Sequence, residues 1–212
     1  ILLARGTSGH AALFLKALIE TELGLPVGIA APSAVSINGA KLNYKNTLVI
    51  SLSQSGQSPD LLSYLEAAKS GDALVITMTN DGDSPMAKLA DIHIDLLAGK
   101  ERALAATKSY SAQLFAGVKL IRSWQGKVND FVEVTDRLSE LLSDNQITDA
   151  LITKIANYKN LVFIGRGYGY ANSREGALKI QETCYQFVQG YSAADYVHGP
   201  MAAVDTESCV FV

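Results

Sequence analysis

Glu175, Lys179 and Glu182 are spaced at i, i+4 and i+7 in the stretch Arg174 to Glu182, which puts them on one face of a helix. A carboxylate placed beside a carbonyl can move a proton between adjacent carbons, and a lysine can stabilise the oxyanion that develops. Alone, the same spacing also suits the solvated face of a surface helix with one Glu-to-Lys pair. Further on, in Asp195-Tyr-Val-His198-Gly199-Pro200-Met201, the Gly and Pro mark a turn into a new helix. An ordinary histidine pKa lies near working pH, so His198 has the chemistry to open a sugar ring. Its position alone leaves a plain loop or capping role open.

A second stretch suits an anion. In Thr47 to Asp60 a short apolar and β-branched run leads into Ser53-Gln54-Ser55-Gly56-Gln57-Ser58-Pro59-Asp60. The first half predicts a buried strand. Ser58 is placed to cap a helix, with Pro59 at its first position and Asp60 in its first turn. Free backbone N–H groups, the helix dipole and serine hydroxyls then face the loop. No Lys or Arg lies between Ser51 and Tyr64, so neutral donors would hold the phosphate.

The elements that must position these groups alternate. Strands are expected at 1–4, 27–31, 47–52, 73–79 and 91–96, the last nearer an edge. Helices are expected at about 10–23, 60–70 and 84–90. Arg5-Gly6-Thr7-Ser8-Gly9 forms a second small polar loop. This alternation argues a parallel sheet covered on both faces. Ligands bind such sheets at a switch in strand order, so loops 5–9 and 53–58 are expected to line one crevice. A long helix follows at 107–124, then two amphipathic connecting segments at about 130–143 and 147–158.

After these the pattern restarts. Leu161 to Ile164 predicts a strand, Gly165-Arg166-Gly167 its loop and about 171–188 a helix. Leu-Leu-Ala-Arg-Gly at 2–6 and Val-Phe-Ile-Gly-Arg-Gly at 162–167 form a weak internal repeat. The second copy reaches its third strand at 208–212. The expected organisation is a first domain at 1–129, connecting helices at 130–158 and a second, incomplete domain from 159 to 212. Both ends fall inside strand patterns, so a piece of a longer chain is expected. Gly165-x-Gly167 opens like a dinucleotide fingerprint, but Tyr170 stands where a glycine is needed, which argues against NAD.

Composition sets outer bounds. The 212 residues are 48% hydrophobic and 18% charged, with a net charge of −3. That balance offers no basic nucleic-acid surface. No apolar run has the length of a membrane span, and with no basic n-region followed by an apolar segment and a cleavage site no signal peptide is expected. Cys184 and Cys209 form no CxxC or Cys/His cluster, and two reduced thiols in a cytoplasmic protein are expected. His10, His93 and His198 are far apart and give no metal-ligand spacing.

Taken together, Arg5-Gly-Thr-Ser8, Ser53-Gln-Ser-Gly-Gln-Ser58, Ala105-Ala-Thr-Lys108, Glu175-Gly-Ala-Leu-Lys179-x-x-Glu182 and His198-Gly-Pro200 resemble the motifs of the double sugar-isomerase (SIS) domain family. The chain is similar to the isomerase half of glutamine–fructose-6-phosphate transaminase and to its deaminase relatives. The resemblance implies two flavodoxin-like, three-layer αβα domains with parallel sheets. It implies that Ser53, Gln54, Ser55 and Ser58 hold a sugar phosphate, with Ser8 nearby and Thr7 and Leu104 completing the set. Glu182 matches the residue that shuttles a proton between C1 and C2. Glu175 and Lys179 match cleft residues of the same helix. His198 matches the ring-opening histidine, which the family takes from the partner subunit of a homodimer. The family also uses a lysine beyond Val212. No metal or organic cofactor is implied.

Arg5 stands where the transaminase-type loop has Cys, and Gln57-Ser58-Pro59 departs from the Glu-Thr of that loop. These departures resemble the shorter SIS-type glucosamine-6-phosphate deaminases. The expected reaction releases ammonia and fructose-6-phosphate from glucosamine-6-phosphate. The alternatives are the isomerase domain of a glutamine-dependent synthase, a deglycase for amine-linked fructose phosphates, and a sugar-phosphate-binding regulator without turnover.

Overall fold

The apolar runs build two separate parallel sheets in the computed structural model, which describes residues 1–128, 131–143 and 146–212. The first sheet contains β1 (Leu2–Leu3), β2 (Leu48–Leu52), β3 (Leu74–Thr79) and β4 (Ile92–Asp95), in that spatial order. Its helices are α1 (Gly6–Glu22), α2 (Pro32–Ser36), α3 (Pro59–Ser70), α4 (Pro85–Leu89) and α5 (Lys108–Trp124). Two linking helices follow, α6 (Val132–Ser143) and α7 (Gln146–Ile155). The second sheet contains β5 (Asn160–Gly165), β6 (Val188–Ser192) and β7 (Ser208–Phe211), with β5 in the middle. It carries α8 (Tyr168–Cys184), the short α9 (Ala193–Val197) and a 3-10 turn at Pro200–Ala203.

Alternation along the strands gives the first sheet two buried faces. Ile50, Leu52, Ile76 and Met78 point to one side and pack with Ala11, Leu15 and Ile19 of α1 and Ile121 of α5. Val49 and Val75 point to the other and pack with Leu61, Leu65 and Ala68 of α3 and Met86 of α4. The result is the expected three-layer α/β arrangement.

The expected strand at 27–31 shrinks to a single parallel bridge between Ile29 and Leu2, held by Leu2 N–H to the Gly28 carbonyl and Ala30 N–H to the Leu2 carbonyl, both 2.8 Å. Pro26 and Pro32 bracket it, and a proline cannot donate to a ladder. Even so, the bridge fixes the topology. The chain leaves β1 in one direction to Ile29 and in the other to β2. The switch in strand order therefore falls between β1 and β2, where the start of α1 and loop 53–58 emerge.

The second sheet repeats that order, with β6 and β7 on either side of β5. Its core is smaller: Leu161, Ala177 and Val188 are buried, and the Phe163 and Phe211 rings stack 4.5 Å apart. Gly190 lets the strand approach α8, since a Cβ there would lie 2.5 Å from the Ser173 carbonyl oxygen. The expected helix at 171–188 ends at Cys184 because Tyr185 turns left-handed, at φ 57°, and Val188 opens β6. The expected boundary at 129/130 lies outside the described residues. No helix of the described residues is long and apolar enough to cross a membrane.

Candidate functional site

The site forms where the start of α1 meets the middle of α8. The chain from Arg5 to Gly9 is not a loop as expected, because α1 begins at Gly6 and the Gly9 N–H closes its first turn on the Arg5 carbonyl at 3.0 Å. Small polar residues are weak helix formers, so the apolar pattern marks only the later turns. Thr7, Ser8 and His10 consequently project from a rigid helix.

Glu175, Lys179 and Glu182 do share a face of α8. Glu175 is 6% exposed. Its Oε1 accepts from the Thr7 hydroxyl at 3.1 Å and lies 3.2 Å from Lys179 Nζ. Its Oε2 lies 2.8 Å from His10 Nδ1. A carboxylate this deep is tolerated only because each oxygen is met by donors. Lys179 Nζ donates to Thr7 Oγ1 at 3.1 Å, to the Ala106 carbonyl at 3.0 Å and to Glu182 Oε2 at 2.6 Å. Glu182 is half-buried, so it keeps access to solvent while paired with the ammonium. Tyr110 of α5 donates to Asn172 Oδ1 at 2.9 Å. Burial, followed by the charge of Glu175, raises the Tyr110 phenol far above its ordinary value, so it remains a neutral donor.

The serine-rich loop sits where expected, between β2 and α3. Gly56 adopts φ 63° and packs on β3 and the turn after it: a Cβ there would fall 2.3 Å from Ser84 Oγ. The loop is fixed from within by Gly56 N–H to Ser53 Oγ at 3.1 Å and Gln57 N–H to Ser55 Oγ at 3.3 Å. Ser53 is thus partly spent on shape. Ser58 is the N-cap residue and Pro59 occupies the first turn, as expected, but the Ser58 side chain makes no capping bond. Its hydroxyl is left for another acceptor. Ser8 is buried and accepts from Gln113 Nε2 at 2.9 Å, so its own proton remains to donate. Gln54 lines a cleft of about 630 Å³ with Asn80, Asp81, Asp95, Lys100 and Glu101.

Other expected residues stand apart. Leu104 is 96% exposed, and it is the Ala106 carbonyl of its loop that reaches Lys179. His198 caps the C-terminus of α9 through its backbone N–H, is exposed, and does not join the Glu175 cluster of its own chain.

Sequence reasoning missed three contributors. His10 would have been visible from its i+3 spacing to Thr7, had the helix been started at Gly6. Ala106 acts through its backbone and has no side-chain signal. Arg5 pairs its Nε with Asp60 of α3, which places a cation beside a loop expected to be served by neutral donors only. Nothing in the local sequence marks a pair 55 residues apart.

With this geometry in hand, comparison identifies the class. The chain belongs to the SIS domain family, whose pattern matches residues 1–123 and 154–212. It is 32% identical over 218 residues to a glutamine–fructose-6-phosphate aminotransferase (isomerizing) from Thermotoga maritima, a match covering 97% of this chain and 36% of that protein. Among solved structures, it superposes on a glucosamine-6-phosphate deaminase from Thermotoga maritima with TM-score 0.82 at 25% identity, covering 99% of this chain and 65% of that one. It superposes equally, with TM-score 0.82 and 25% identity, on the C-terminal domain of glucosamine-fructose-6-phosphate aminotransferase from Francisella tularensis, covering 99% of this chain and 62% of that one. The chain thus spans about a third of the length of the curated relative and under two thirds of the solved ones.

Proposed function

We propose that this SIS-family chain converts glucosamine-6-phosphate to fructose-6-phosphate and ammonia. The observation that carries the reading is the Lys179–Glu182 contact of 2.6 Å on a helix face that docks against Thr7 of the first sheet's switch point. It joins an acid–base pair to the neighbourhood of the phosphate loop.

In the proposed sequence, loop 53–58 and Ser8 hold the phosphate and His198 assists ring opening to the aldehyde. His198 is exposed and remote from its own cluster, which favours delivery from the partner subunit of a homodimer. Glu182 removes the C2 proton, and as the C1–C2 double bond forms the developing enolate oxygen on C1 is stabilised by the Lys179 ammonium and takes a proton from it. Glu182 then returns its proton to C1, and the resulting iminium gives its extra N–H proton back to Lys179, leaving a C2 ketimine. Water adds to the ketimine, ammonia leaves, and the C2 ketone of fructose-6-phosphate remains.

Incubation with glucosamine-6-phosphate in the absence of glutamine, with ammonia and fructose-6-phosphate assayed together, tests this. Equal amounts of the two products support it. No ammonia, with sugar-phosphate binding intact, overturns it. The similarity to proteins named glutamine–fructose-6-phosphate aminotransferase favours one second reading, an isomerase unit fed with ammonia by another domain. Formation of glucosamine-6-phosphate from fructose-6-phosphate only when glutamine is supplied would select it.

A further inference from the structure

We propose that His10 is a positioning residue of the proton-transfer site, acting through Glu175; this rests on the reading of Glu182 as the proton shuttle. Three contacts run in series from α1 across α8. His10 Nδ1 lies 2.8 Å from Glu175 Oε2, Glu175 Oε1 lies 3.2 Å from Lys179 Nζ, and Lys179 Nζ lies 2.6 Å from Glu182 Oε2. His10 and Thr7 are one helical turn apart on α1 and hold the two oxygens of the same carboxylate. The His10 side chain is 13% exposed and that of Glu175 is 7% exposed, so water does not readily replace either partner.

The grip has a consequence for Lys179. With Oε2 occupied by His10 and Oε1 facing Thr7, Glu175 can share only one oxygen with the ammonium. Lys179 is left extended toward Glu182 and the Ala106 carbonyl. Without His10, the freed carboxylate oxygen is a buried acceptor lacking a donor, and the nearest cation is Lys179. Glu175 then draws the ammonium inward and Glu182 loses the partner that sets its orientation. His10 also borders a cleft of about 110 Å³ with Arg174, Gln181 and Gly190.

The test uses the purified full chain. Turnover and wash-in of solvent deuterium at C1 of fructose-6-phosphate are both measured. His10→Ala is expected to lower both by about 10- to 100-fold, as for a misplaced catalytic group, with KM changed less than about threefold. An asparagine amide nitrogen sits where imidazole Nδ1 does, so His10→Asn is expected to restore most of the loss. In a Glu175→Gln background, His10→Ala should add little, because the two act as one unit. Losses that multiply, or an Asn variant no better than Ala, overturn the proposal. Nitrogen chemical shifts of labelled histidine supply a readout free of activity and of Ala-variant folding. His10 is expected in the Nδ1-protonated form in the wild type and altered in Glu175→Gln; unchanged shifts overturn the proposal. Wild-type protein that binds the sugar phosphate but shows neither turnover nor exchange would sink the functional reading instead, leaving the nitrogen shifts to decide the role of His10.

Discussion

Helices α1 and α8 occupy the same place in two copies of one strand plan. Each has 17 residues and follows the strand that its neighbours flank. Each is entered through a glycine at positive φ, Gly6 at 52° and Gly167 at 57°. Their buried faces differ. Beyond its first turn, α1 buries Ala11, Ala12, Leu15, Leu18 and Ile19 against the larger sheet. Helix α8 buries Ala171, Ser173, Glu175 and Ala177 over a three-strand sheet with a small core. The apolar helix is a fixed reference, and the charged helix is registered against it. The polar start of α1, through Thr7 and His10, joins Lys179 of α8 in supplying the donors that the buried Glu175 carboxylate requires. One helix of the pair provides rigidity and the other the charged face on which the proposed chemistry rests.

The largest expected effect breaks the chemical half of the pair. Glu182→Gln keeps the shape of the side chain but removes the proposed base. Turnover is expected to fall by roughly 10²- to 10⁴-fold, while sugar-phosphate binding, followed by calorimetry, stays near the wild-type value. Loss of binding as well would show that Glu182 also helps to hold the sugar phosphate.

The next effect is on stability and is specific to α8. Lys179→Met removes the cation between two carboxylates, one of them buried. Breaking such a pair from one side costs about 3–5 kcal/mol when buried; the 19% exposure of the Lys179 side chain places this case at the lower end. Urea denaturation checks it. The combined change Lys179→Met with Glu175→Gln should recover part of the loss, because the uncompensated charge is then gone.

A third pair of variants measures the two cores. Leu15→Ala on α1 opens a cavity under a side chain 1% exposed and is expected to cost roughly 2–5 kcal/mol. Ile180→Ala on α8 truncates a half-buried residue beside a smaller cluster, and about 1–2 kcal/mol is expected. Equal costs would mean that α8 is as firmly seated as α1.

The contrast also explains what the sequence could reveal. The serine loop and the Glu175–Lys179–Glu182 face are local patterns, set by a strand-to-helix turn and by helical periodicity. Both formed as expected, as did the edge position of β4. Long-range partners left no local mark. His10 and Glu175 are 165 residues apart, and the polar start of α1 has the composition of a loop although the helix opens at Gly6. Strand β6 was hidden because Val188-Gln-Gly-Tyr-Ser192 buries only Val188 and Gly190, too little for an apolar strand signature. The run at 27–31 has the composition of a strand but only one bridge, because its flanking prolines stop the ladder.

The smallest effect concerns the loop before α5, whose Ala106 carbonyl reaches α8. Glu101 lies in the loop before α5, and its Oε2 accepts from the Ser109 backbone N–H at 3.1 Å and hydroxyl at 2.9 Å. Burial alone would raise its pKa, but these bonds, one from the Thr107 backbone and the charge of Lys108 outweigh it, so the folded value is lowered. A carboxyl lowered on folding stabilises the fold above its ordinary value of 4.5, and that contribution is lost as pH falls through the folded value. Glu101→Gln should therefore flatten part of the decline in urea midpoint as pH falls below 4.5. It should not flatten all of it, because Asp91 at the start of β4, lowered from 3.8 chiefly by its hydrogen bond from Lys69, loses its contribution at lower pH still. The same loop carries the Ala106 carbonyl to Lys179. If Glu101→Gln also weakens turnover at neutral pH, the seating of α8 depends on the loop as well as on α1. If stability in acid changes alone, α1 is sufficient to hold the charged helix in place.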